Sequence, residues 1–130
     1  MSVQKSPLVS ALVADDMADN RDIFTIILQM AGYNVTIAAN GQEALELLTT
    51  QPFHLMILDL DMPVLNGRDV LLSLQKQPQH RPKYIMVVTA NSQMTTEDVV
   101  KLSDFVIIKP VIVKEVVTLA KRLNPTVVVP

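Results

Sequence analysis

The chain has no cysteine and no tryptophan among its 130 residues. Without cysteine there is no disulfide, no thiolate nucleophile and no cysteine-ligated zinc site. Such a composition suits a reducing compartment, and the expected location is the cytosol. No apolar run approaches the ~18 consecutive residues of a membrane-spanning helix, so no membrane partner is expected. The N-terminal stretch KSPLVSALVADD holds a lysine and a short apolar run, the elements of a secretory leader. Pro7 and the closing acidic pair oppose that reading. Charge of one sign is missing as well. Eleven basic residues against 13 acidic ones form no polyanion-binding surface, so nucleic acid is not an expected direct partner. Glycine is scarce, and no repeat, linker or low-complexity tract interrupts the chain. One domain over 1–130 is expected, with its core at about 8–123.

What is present is apolar material, 49% of the residues. It falls into five short runs: LVSALVA (8–14), NVTIAA (34–39), HLMILD (54–59), YIMVVTA (84–90) and DFVIIK (104–109). They are too short for core helices and too continuous for one-sided strands, as buried parallel strands are. Helical spacing fills the gaps. Ile23, Ile26, Ile27 and Met30 make the first stripe, Ala44, Leu45 and Leu48 the second, and Val70, Leu71 and Leu74 the third. Val116, Val117, Ala120 and Leu123 make the last. Asp19/Asp22, Asn40/Glu43, Asn66/Asp69 and Thr95/Asp98 each place a capping side chain three residues before an acid. Gly32 follows the first helix, and Gly41 and Gly67 open later ones. Only KQPQHRPK (76–83) reads as loop. The alternation predicts an α/β fold of five βα units around one parallel sheet.

In such sheets the ligand site lies outside the carboxyl ends of the strands. The first strand ends in Asp15-Asp16, the third in Asp59, the fourth in Thr89 and the fifth in Lys109. Two carboxylates about 4 Å apart repel by roughly 4 kcal/mol at an effective dielectric near 20. Three together call for protonation or a cation. A set of hard oxygen ligands without His or Cys favours Mg²⁺. Lys109 suits a phosphoryl oxygen as a point charge, and the Thr89 hydroxyl suits another. Asp59 is then the carboxylate nucleophile that accepts the phosphoryl group, and Pro63 turns the chain away behind it.

Taken singly, each residue has a plainer reading. Asp15-Asp16 reads as a solvated turn or helix cap, Thr89 as a β-former, and Lys109-Pro110 as a strand end before a helix. Asp61 reads as structural, its backbone carbonyl mattering more than its side chain. Met17, Met30, Met56 and Met86 read as core filler, and His54 and His80 as incidental.

The stretches VADD (13–16), MILDLDMPVLNG (56–67), VVTA (87–90) and IIKP (107–110) resemble, in order and interval, a response-regulator receiver domain of two-component signalling. The resemblance covers roughly residues 8–123. It implies a flavodoxin-like, doubly wound sheet in strand order 2-1-3-4-5. It makes Asp59 the phospho-accepting aspartate. Asp16, with Asp15 beside it, would bind Mg²⁺ together with Asp59 and the main-chain carbonyl of Asp61. Thr89 would be the switch hydroxyl and Lys109 the phosphate-contacting lysine, followed by a cis bond to Pro110.

Two departures stand out. Receivers often carry an aromatic three residues before the lysine, where this chain has Val106, with Phe105 one earlier. The Thr89–Lys109 interval is also short, so the fourth helix is expected to be short or irregular. The implied function is a phosphorylatable switch rather than an enzyme. Its donor is a histidine kinase or a histidine phosphotransfer domain. Its output protein would meet the fourth helix, fifth strand and fifth helix, where VIVKEVV (111–117) supplies β-branched residues that also suit a core-facing helix. Two competing readings are a phosphorylation-independent adaptor and a phosphatase of the haloacid-dehalogenase type, which DLDMP faintly resembles.

Overall fold

A computed structural model of the protein describes residues 8–127. Pro7, the proline that opposed a leader, and the rest of residues 1–7 lie outside this range. The five apolar runs pair as parallel strands: β1 (Val9–Ala14), β2 (Tyr33–Ala38), β3 (Leu55–Leu58), β4 (Tyr84–Thr89) and β5 (Phe105–Ile108). Their order is β2-β1-β3-β4-β5, as expected. Five α-helices connect or follow them: α1 (Ala18–Met30), α2 (Gly41–Thr50), α3 (Gly67–Lys76), α4 (Glu97–Leu102) and α5 (Val113–Leu123). Residues 76–83 are loop-like apart from the end of α3 and a 3₁₀ turn over Pro78–His80.

Alternate residues of each strand feed opposite layers, because side chains in a strand alternate with period two. Leu12, Met56, Leu58 and Val87 pack with Ala44 and Leu48 of α2, Val70 and Leu74 of α3, and Val99 of α4. Val13, Ile57 and Val88 face the other way, onto Phe24 and Ile27 of α1 and Val116 and Ala120 of α5. Both faces are covered, which is why Ala11–Ala14, Leu55–Leu58 and Ile85–Val88 of the central strands are apolar throughout. At those tips the ladder runs on past the strands. Asp59 N–H donates to Ala14 O at 2.9 Å and Lys109 N–H to Thr89 O at 2.8 Å. The acid and the lysine are thereby held on the rim of the sheet.

The helix boundaries correct several expectations. The buried stripe of α1 is Phe24, Ile27, Leu28 and Ala31, whereas Ile23, Ile26 and Met30 are exposed. The expected set (Ile23, Ile26, Ile27, Met30) and the buried one both satisfy i, i+3, i+4, i+7 and share Ile27. The set containing Phe24 goes inside because an aromatic ring gains most from burial. Met17 is exposed as well, so of the four methionines expected in the core Met56 and Met86 are there, and Met62 joins them. Asp19 does not cap α1; Asp15 Oδ1 accepts Met17 N–H at 2.9 Å instead. Asn40 and Asn66 cap α2 and α3 as predicted, the latter in a reciprocal capping box with Asp69. The cap of α4 is Thr96 rather than Thr95, and α4 has only 6 residues. His54 is not incidental. Its Nε2 donates to Leu123 O at 2.7 Å, and its ring meets Tyr84 edge-on at 5.5 Å.

Val64, in the loop between β3 and α3, sits at φ 69° and is 75% exposed. A β-branched residue in the left-handed region is strained by about 1 kcal/mol or more. Asn tolerates that backbone far better. Val64→Asn should raise the urea midpoint of unfolding by the equivalent of about 1 kcal/mol; a lower midpoint would contradict the strain.

Candidate functional site

Asp15, Asp16 and Asp59 each present a carboxylate oxygen, all within 4.8 Å of one another. Asp15 and Asp59 are 2% and 6% exposed, whereas Asp16 faces solvent. Lys109 reaches over both buried acids, its Nζ lying 3.2 Å from Asp15 Oδ2 and 3.7 Å from Asp59 Oδ2. One lysine against three carboxylates leaves an excess of negative charge. The buried Asp59 has its pKa pushed up to about 6 from the ordinary 3.8. Burial is the main cause, and the charges of Asp15 and Asp16 add to it. The Asp61 N–H, donated to Asp59 Oδ1 at 3.1 Å, and the Lys109 ammonium pull the other way.

A cleft opens over this cluster, lined by Asp16, Asp59, Asp61 and Lys109 and, on its rim, by Met17 and Pro63. The donor set is oxygen only, clustered and under-neutralised, which fits a hard divalent cation. The Asp61 carboxylate is not part of the three-acid group, although its residue lines the cleft and its backbone orients Asp59. Thr89 is fully buried at the end of β4, and its hydroxyl is engaged locally. It accepts Asn91 N–H at 3.1 Å and reaches Asn91 O at 3.5 Å. The bond between Lys109 and Pro110 is cis.

The fold thus gathers Asp15, Asp16, Asp59 and Lys109, keeps Asp61 on the cleft wall, and leaves Thr89 turned aside toward its own loop. Asn20 and Asn91, not singled out in the sequence, also line the cleft. Arg21 was missed too, and its guanidinium donates to Asp15 O at 2.8 Å. All three were invisible without the exact start of α1 and the path of the loop after β4.

A family model described as "Response regulator receiver domain" matches residues 11–121. The chain belongs to this family. Receiver chains of known structure share the fold: response regulator protein TrrA of Thermotoga maritima, solved with Mg(2+)-BeF, is 28% identical. The match covers 89% of this chain and 99% of that one at TM-score 0.79. Chemotaxis protein CheY4 of Vibrio cholerae is 26% identical over 90% of this chain and 99% of that one, at TM-score 0.78. Among curated proteins, Response regulator RR06 of Streptococcus pneumoniae is 34% identical over 117 residues, 89% of this chain and 52% of its own length. The chain spans only 26% of a probable transcriptional regulator of Cyanidium caldarium and 12% of the sensory/regulatory protein RpfC of Xanthomonas campestris. As a receiver domain the protein is a module of two-component signalling rather than a conventional enzyme, and its acidic cluster fits the phosphorylation site of that family. Among the described residues, no helix is long and apolar enough to cross a membrane.

Proposed function

We propose that Asp59 takes a phosphoryl group from a phosphohistidine on a histidine kinase or histidine phosphotransfer domain in the cytoplasm. The observation that carries this reading is the meeting of three carboxylates within 4.8 Å, with the Lys109 ammonium 3.7 Å from Asp59. The meeting of these charged groups disfavours the adaptor reading, which needs none of them.

The chemistry follows from the groups. The free Asp59 oxygen attacks phosphorus, the P–N bond breaks, and its electron pair returns to the imidazole of the donor. Asp16, Asp59 and the Asp61 carbonyl, with Asp15 alongside, would hold Mg²⁺, which would supply positive charge for the phosphoryl oxygens. Lys109 shifts from pairing with the acids to holding a phosphoryl oxygen. Thr89 reaches another only by giving up Asn91, so acceptance of the group frees the Asn91 N–H and loosens the loop leading into α4. In hydrolysis, water attacks phosphorus, the P–O bond to Asp59 breaks, and carboxylate and inorganic phosphate leave.

The output runs through that loop. Val106 packs into the layer of α2–α4, while Phe105 lies in the opposite layer with Tyr84. No ring stands beside Thr89 in the usual place, so the loop and the short α4 carry the signal. Val100, Ile108 and Val113, exposed on α4, β5 and α5, are the apolar ground for an output protein. Incubation with a ³²P-labelled phosphohistidine donor should label the wild type only with Mg²⁺ present and should leave Asp59→Ala unlabelled. Equal labelling of Asp59→Ala would put the acceptor elsewhere.

A further inference from the structure

Asp15, buried in the acidic cluster beneath the cleft, is heavily tied. Its Oδ1 accepts Met17 N–H at 2.9 Å, and its Oδ2 pairs with Lys109 at 3.2 Å. Its backbone N–H donates to Ala38 O at 3.1 Å, and its carbonyl accepts from Arg21 at 2.8 Å. One more donor reaches it: Asn20 Nδ2, 3.5 Å from Oδ1. Among the described residues, Asp15 is the hydrogen-bond partner of the Asn20 side chain, and Asn20 lines the cleft. Nothing in α1 itself requires an amide there, since Asn is a poorer helix former than Ala by several tenths of a kcal/mol.

We propose that Asn20 is a positioning residue for the divalent cation, acting through the Asp15 carboxylate. This rests on the cation reading above. A cation entering among the three acids would repel the Lys109 ammonium, and Asp15 would lose its Oδ2 partner. The carboxylate must then keep its orientation from the donors on Oδ1. Met17 N–H is one and the Asn20 amide is the other. Outer groups that orient ligating carboxylates typically change metal affinity by about 10- to 100-fold. The 3.5 Å reach places Asn20 at the lower end of that range.

The test is a Mg²⁺ titration of the full chain followed by amide NMR shifts, with metal-free melting measured alongside. Asn20→Ala is expected to weaken Mg²⁺ binding by about tenfold, while the metal-free melting temperature stays level or rises because Ala favours the helix. In an Asp15→Asn background the same substitution is expected to add no further loss, since the group it orients has changed. Wild-type affinity in Asn20→Ala, or an equal loss in both backgrounds, overturns the proposal. A wild-type protein that shows no saturable Mg²⁺ binding overturns the cation reading and this proposal together, so the two failures are told apart.

Discussion

Asp59→Asn is expected to abolish phosphoryl acceptance and, at the same time, to make the metal-free protein more stable at pH 7 by about 2–3 kcal/mol. The second half follows from the raised pKa. An Asp59 that titrates at about 6 when folded and near 3.8 when unfolded keeps its proton in the native state while the unfolded chain has released it. Between those two values the native state binds more protons, so stability falls as pH rises. Above pH 6 the penalty is complete and constant; below about pH 4 it vanishes. An amide of the same shape carries no such charge. The expected urea-unfolding profile is therefore a mutant gain that is full at pH 7, about half at pH 5 and absent at pH 3.5. Saturating Mg²⁺ should remove most of the gain by neutralising the wild-type cluster. A gain that does not change with pH would mean that the buried charge of Asp59 is not what destabilises the resting domain. If the profile holds, the acceptor is kept ionised at a cost in stability, the usual trade at a site built to react.

The rim of this sheet was legible because polar residues at the ends of apolar runs have few places to go. Once the runs are read as parallel strands, Asp15, Asp16, Asp59 and Lys109 must emerge on one edge, and their charges then demand one another. Gly67 was legible only as a helix start. Its stricter role is close packing, since a Cβ there would lie 2.6 Å from Asp59 O and 2.8 Å from Leu60 Cα. The inward face of α1 was not legible, because Ile23, Ile26 and Met30 match the helical period as well as the residues that are buried. Periodicity cannot rank two adjacent stripes, and packing chose the one with the aromatic ring. Thr89 marks a different limit. Its place at the strand end could be read, but the direction of its hydroxyl depends on Asn91, two residues on, in a loop with no periodic signal. The same holds for Arg81. Its pairing with Asp104 at 2.9 Å and with Leu102 O at 3.3 Å ties the end of α4 to the loop before β4. With Arg68 and Asp98 bonded at 2.6 Å near its start, a helix too short to persist alone is held at both ends.

Lys109→Ala separates the two tasks that this ammonium performs. In the resting domain it is the counter-charge of two buried carboxylates, itself only 18% exposed in its side chain. Removing one partner of a buried pair costs about 3 kcal/mol or more, because the charge left behind has no compensation. The metal-free variant should therefore unfold about 3 kcal/mol more easily at pH 7. The Asp59 part of that loss should shrink as pH falls below about 6, where this acid takes up a proton. Adding Asp59→Asn to Lys109→Ala should recover part of the loss, and the recovered part measures the coupling across the 3.7 Å gap. Mg²⁺ binding should persist, since all of its oxygen donors remain and a competing cation is gone. Phosphoryl acceptance should nevertheless fall by a factor of 10² or more, because a fixed charge aimed at the transferring group is worth roughly 3 kcal/mol in a site of this kind. Retained Mg²⁺ affinity with lost acceptance is the outcome that assigns Lys109 to the phosphoryl group. Acceptance at the wild-type rate would leave it a structural counter-ion alone.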